Sequence, residues 1–170
     1  MSSEEKEKLF TEIFKVNKER IFRLCYTSLN NKDEVDDLFQ EVMTNVWRSL
    51  ESFRNEAKIS TWIYRITVNS ALLFNKRFKT KSGRFQNLDH HELDEMYEGS
   101  QFEKNLDEDL KNLHKAIAKL GKQDRIIIGL FLDDTSYEEI SEIVGISPNY
   151  VGVKINRIKT ALANTMGGKE

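Results

Sequence analysis

The side chains best suited to chemistry sit in the last third of the chain. From Asn149 to Thr160 there is no acid, while Lys154, Arg157 and Lys159 supply positive charge. On a helix turning about 100° per residue, Val151, Ile155, Ile158 and Leu162 share one face. Asn149, Gly152, Val153, Asn156, Arg157 and Thr160 take the other side. Small and amide side chains can reach base edges in a major groove, and cations can hold phosphates. Upstream, Ser136-Tyr137-Glu138-Glu139 reads as a capping box, Gly145 as a helix stop, and Ser147-Pro148 as a helix start. Residues 136–162 therefore read as helix, three-residue turn, helix. The pattern by itself also fits an ordinary amphipathic hairpin with a solvated outer face.

A second segment carries a different chemistry. Between Glu56 and Asp89 there is no acid, and Lys58, Arg65, Lys76, Arg77, Lys79, Lys81 and Arg84 alternate with Trp62, Tyr64, Phe74, Phe78 and Phe85. Aromatic faces stack on unpaired bases while lysine and arginine follow the backbone. Phe74 reads as core. Trp62, at a helix start beside a polar loop, fits core and stacking equally.

Catalytic chemistry finds little support. His90 and His91 are adjacent, so their side chains diverge, and His114 is remote in sequence. A metal site would need these brought together, and none is expected. The single cysteine, Cys25, lies on an apolar stripe and excludes an internal disulfide. No glycine-rich phosphate loop occurs. The expectation is a protein that is not an enzyme and uses no cofactor.

The elements that must position these residues are helices. One proline in 170 residues, with 39% apolar and 32% charged side chains, describes a soluble, breaker-poor chain. Leu9 to Cys25 forms a first stripe, with a break expected near Asn17. Val35, Leu38, Val42, Val46 and Leu50 mark a second helix, opened by Asp33. Ser60 starts a third, with Ile63, Ile66 and Leu73/Phe74. Leu106 to Leu120 marks a fourth, stopped by Gly121, and Ile126 to Phe131 a short fifth. The net charge of −2 conceals a basic stretch followed by an acidic one: Asp89, Glu92, Asp94, Glu95, Glu98 and Glu103. The aperiodic segment between helices three and four reads as a flexible linker, giving domains at 1–79 and 104–170 around a linker at 80–103. The acidic start, Met1-Ser2-Ser3-Glu4-Glu5, is not a signal peptide, and no membrane span is expected. The expected location is cytoplasmic.

Three motifs now converge. Asp33-Glu34-Val35-Asp36-Asp37-Leu38-Phe39-Gln40-Glu41-Val42 resembles region 2.2 of the extracytoplasmic-function (ECF) sigma factors, small members of the sigma-70 class. Phe53-Arg54-Asn55-Glu56-Ala57-Lys58-Ile59-Ser60-Thr61-Trp62-Ile63-Tyr64-Arg65-Ile66, with Asn69 after it, is similar to region 2.3. Tyr137 to Ser141 and Gly145-Ile146-Ser147 resemble region 4. The resemblance implies an all-α chain of two small domains. Asp37, Gln40 and Glu41 would bind core polymerase. Arg54, Asn55, Lys58, Trp62, Arg65, Asn69, Lys76 and Arg77 would hold the −10 element. Asn149, Gly152, Val153, Lys154, Asn156, Arg157 and Lys159 would read the −35 element. Implied partners are RNA polymerase core, through its β′ clamp helices and β flap, promoter DNA and an anti-sigma factor, with no small-molecule substrate. Three positions depart from the family pattern. Leu73 replaces a frequent Asp, Gly121 replaces a usual Pro, and Gly152-Val153 replaces an Arg or Ser pattern. The alternative reading is a helix-turn-helix regulator acting without polymerase, which leaves the aromatic-basic segment and the acidic helix unexplained.

Overall fold

The computed structural model describes residues 1–81, 104 and 106–167, excepting the side chains of 75–81. The described residues are all-helical: α1 (Ser3–Ser28), α2 (Val35–Ser49), α3 (Ile59–Lys81), α4 (Glu108–Ala118), α5 (Lys122–Leu132), α6 (Tyr137–Val144) and α7 (Pro148–Gly167). The proposed linker and the His90-His91 pair lie almost wholly outside the described residues.

Local chemistry explains most helix ends. Ser2 opens α1 with a reciprocal capping box to Glu5. The break expected near Asn17 is absent. Its amide donates to the Ile13 carbonyl one turn back, at 3.0 Å, so this buried polar group is satisfied inside an unbroken helix. Asp33 does not open α2 directly. Asn31 instead caps a 3-10 turn, Lys32–Glu34, by accepting from the Asp33 N–H, and α2 starts at Val35. Asp36 and Asp37 then occupy its first turn, where the helix dipole favours carboxylates. Gly121 does not stop α4, which ends earlier at Ala118. Gly121 is the N-cap residue of α5. Gly145 closes α6 in the left-handed region (φ 80°), a conformation glycine adopts without steric cost.

Two apolar cores form. The first joins α1, α2 and α3 through Ile21, Phe22, Cys25, Leu38, Val42, Val46 and Ile63. The second joins α4 to α7 through Ile117, Ile127, Leu130, Ile140, Val151 and Ile155. The second core also takes in Leu24 of α1 and Tyr64 and Val68 of α3. The two halves are therefore joined by direct packing as well as by the chain between them. Cys25 is wholly buried, which pushes its thiol well above the usual range and leaves it an apolar filler.

The seam between the halves is polar where it reaches the surface. Asp133, at the end of α5, accepts from Arg23 at 2.7 Å and from the Tyr64 hydroxyl at 2.5 Å, and pairs with Arg20 at 3.3 Å. Arg125 of α5 is buried and donates to the Ser28 carbonyl at 3.0 Å and the Leu120 carbonyl at 2.7 Å. Gly129 lies where α5 packs on α1. A Cβ there would lie 3.1 Å from Thr27 Cγ2 and 3.3 Å from Leu24 Cδ1.

Candidate nucleic-acid interface and docking surface

Helix α7 presents the face its sequence periodicity requires. Val151, Ile155, Ile158 and Leu162 are buried, and Asn149, Val153, Asn156, Arg157 and Lys159 are exposed. Ser147 caps the helix by accepting from the Tyr150 N–H at 3.2 Å, and Pro148 occupies its first position. The free N-terminal half of α7 thus projects amide, methyl and guanidinium groups together, a combination that suits base edges.

Two residues expected at the DNA also make contacts within the motif. Gly152 is half-buried, and a Cβ there would meet Tyr137 Cε2 at 3.3 Å. The missing side chain makes room for the Tyr137 ring and sets how closely α6 approaches α7. Lys154 turns toward α5 and pairs with Asp124 at 2.8 Å, with its side chain only 17% exposed. It braces the motif from within. Lys159 stays outside, its ammonium 4.6 Å from the Phe131 ring centre. Tyr150 is the residue sequence reasoning passed over. It is exposed at the start of α7 beside Lys154, and an aromatic after Ser-Pro-Asn was the available signal. Lys154→Ala should lower thermal stability by about 1 kcal/mol, as a partly screened pair does, without changing DNA sequence preference. A melting curve together with binding-site selection checks both halves of that statement.

The region 53–69 is built around a tight loop. Asn55 has a φ of 57°, a left-handed conformation that asparagine tolerates better than most residues. This turns the loop so that Arg54, Asn55 and Lys58 are exposed. Trp62 is half-buried, packing on the first core with one side and lying 5.0 Å from the Phe53 ring on another. It is thus part core and part surface. Asn69 is exposed one turn beyond Arg65. Lys76 and Arg77 lie in the last turns of α3, and their side chains are outside the described set.

Two of these cations are engaged by the other half of the molecule. Lys58 pairs with Glu139 of α6 at 3.1 Å. Arg65 donates to the Glu142 carbonyl at 3.3 Å and faces its carboxylate at 3.8 Å. Carboxylates of α6 therefore sit against side chains suited to phosphates.

Asp37, Gln40 and Glu41 lie at the start of α2, each half-buried, on a helix whose opposite side (Val35, Leu38, Phe39, Val42) is core. The three are close enough along the helix to form one polar patch, with Asp36 exposed beside it. No helix among the described residues is long and apolar enough to cross a membrane.

Comparison with known proteins accounts for this layout. Residues 13–77 match the family model for Sigma-70 region 2, and residues 110–162 match that for Sigma-70, region 4. The chain is 31% identical over 163 residues to the ECF RNA polymerase sigma factor SigW of Bacillus subtilis, covering 90% of this chain and 86% of SigW. It is 30% identical over 142 residues to the RNA polymerase sigma factor SigV of the same organism, covering 83% of this chain and 81% of SigV. Its fold is similar to that of the sigma factor RpoE from Bartonella quintana, solved in complex with the anti-sigma factor NepR. That match has a TM-score of 0.70 at 17% identity and covers 96% of this chain and 99% of that one. The first core thus lies within region 2 and the second is built mainly by region 4, and the chain belongs to the sigma-70 family as an ECF sigma factor, a non-enzymatic subunit that directs RNA polymerase to promoters.

Proposed function

We propose that this sigma factor divides its labour among three surfaces. Asp37, Gln40 and Glu41 dock on the β′ clamp helices of core polymerase. The 54–69 segment captures the opened −10 strand, with Trp62 at the edge of the bubble. Helix α7 reads the −35 element through Asn149, Val153, Asn156 and Arg157, while region 4 rests on the β flap. The observation that carries this reading is α7 itself, whose base-reading residues are exposed on the side away from Val151, Ile155 and Leu162. Gly152 and Lys154 serve this face from beneath. An anti-sigma protein is the natural negative partner, and the site of action is the cytoplasm.

The packed seam adds a condition. Lys58 and Arg65 are held by Glu139 and Glu142, so strand capture needs α6 to leave α3. Core binding supplies the free energy for that separation in this reading.

Run-off transcription with purified core polymerase on genomic fragments tests the function as a whole. Specific transcripts that depend on the added chain are expected, and their absence would sink the reading. Asp37→Arg should weaken core affinity by roughly tenfold or more, as charge reversal at an ion-paired interface does, while α7 binds duplex as before. Equal core affinity for variant and parent, titrated at fixed salt, removes the docking assignment.

The −35 readout separates in the same way. Asn156→Ala should cost about 1–3 kcal/mol at one base pair and change the selected sequence. Lys159→Ala should weaken all sequences alike and flatten the salt dependence. If both variants select the parent's −35 sequence from random DNA, Asn156 makes no base contact.

A further inference from the structure

A cavity of about 590 Å³ opens between the end of α1 and α4, outside every surface described above. One wall belongs to region 2, with Tyr26 in α1 and Lys32 in the turn after it. The other belongs to region 4, with Lys111, His114 and Lys115 on α4 and Lys104 ahead of it. Among the described residues no carboxylate lines the cavity. The floor is aromatic, with Tyr26 and His114 edge to face at 4.9 Å. Lys32 is fixed rather than solvated: its ammonium donates to the Leu29 carbonyl at 2.6 Å and lies 4.2 Å from the Tyr26 ring centre. Burial, and then the Lys32 charge, pull His114 down to about 4, so at pH 7 the imidazole is neutral and the charge of the cavity comes from amines alone.

Lysines lining a concave, partly aromatic surface suit one class of ligand. Ammonium groups bind phosphate as point charges, and a flat ring prefers an aromatic or apolar wall. The volume falls within the ~300–1,000 Å³ of small-molecule sites. A duplex, convex and rigid, cannot enter a recess of this kind. We propose that the seam between region 2 and region 4 binds a phosphate-bearing small molecule of nucleotide size, its phosphates held by Lys104, Lys111 and Lys115 and its flat portion lying against the half-buried His114 ring.

The walls come from both halves, so the site exists only while the halves are packed together. A ligand that binds the packed form and not the separated one shifts the population toward the packed form. It would therefore oppose core binding as an effector. That consequence, unlike the site, rests on the reading of the seam given under Proposed function.

The test is calorimetric titration of the full chain with ATP and, separately, with pyrophosphate, at a salt of ~0.15 M to screen loose surface attraction. The His114 ring resonances are followed alongside. Saturable one-to-one binding that moves those resonances is expected. Lys111→Glu combined with Lys115→Glu should weaken it by roughly tenfold or more. Both residues are exposed, and an unchanged melting curve confirms that the variant is folded. Binding of ATP tighter than that of pyrophosphate supports the site as proposed, and equal binding of the two overturns the contact with the flat portion. The proposal is overturned by no saturable binding at millimolar ligand, by equal affinity in the double variant, by silent His114 resonances, or by DNA displacing ATP at equal phosphate. Ligand-free run-off transcription by the parent reads the sigma role separately, so failure of one reading is distinguishable from failure of the other.

Discussion

Trp62→Ala should reduce open promoter complexes by roughly tenfold or more, because stacking of a base on an aromatic side chain is worth about 1–3 kcal/mol and each 1.4 kcal/mol is a factor of ten. The side chain is half-buried, anchored on the region 2 core and on Phe53 at 5.0 Å, so its orientation is held before DNA arrives. A preset ring loses little conformational freedom on stacking. Anchoring also means that truncation frees Phe53 and loosens the loop through Asn55. Trp62→Phe separates the two contributions, since it keeps an aromatic face. Permanganate reactivity of −10 thymines is the measurement. Reactivity restored by Phe and lost with Ala supports stacking. Equal reactivity for Ala and parent makes Trp62 a packing residue only.

Gly129→Leu should open the seam without unfolding either half. A Cβ at this position already lies 3.1–3.3 Å from Thr27 and Leu24, and the remaining carbons of leucine have nowhere to go while α5 rests on α1. Overpacking of this kind costs about 1–3 kcal/mol or more. The cost falls on the interface, because inside region 4 the substitution favours the helix by about 1 kcal/mol. The chain should therefore gain several ångströms in radius of gyration over the ~16 Å expected for a compact chain of this length. Lys58 and Arg65 would then be released from Glu139 and Glu142, and core affinity should rise. Small-angle scattering checks the first outcome and a core titration the second. An unchanged radius with unchanged core affinity would show that the seam yields to a leucine and restrains nothing.

Most of the architecture was readable from spacing. Val151, Ile155, Ile158 and Leu162 recur on one face because a helix must put them there, and burial of that face leaves Asn149, Val153, Asn156 and Arg157 outside. Ser136, Gly145, Ser147 and Pro148 act through their own backbone neighbours, so their capping roles were also visible. What spacing does not show has a common cause. Asn17 looked like a break because a polar residue on an apolar stripe gives no sign that its amide will turn back to Ile13. Gly152 and Lys154, expected at the DNA, also have roles within the motif that helix angle alone does not show. Whether a side chain at the margin turns outward or meets Tyr137 or Asp124 depends on the next helix.

By itself the sequence determined the helices, their apolar faces, the order of the two family regions and hence the work of the protein, since each of these depends on residues a few positions apart. Only the tertiary structure decided that region 4 lies against region 2. Arg23 meets Asp133, Lys58 meets Glu139 and Gly129 meets Thr27 across long stretches of chain. Such pairs form because α1 and α3 each carry a second apolar strip, marked by Leu24, Tyr64 and Val68, which a one-helix pattern cannot assign to a partner. Charges around that strip then settle where opposite charges are brought near, and it is distance in space, not in sequence, that sets their attraction.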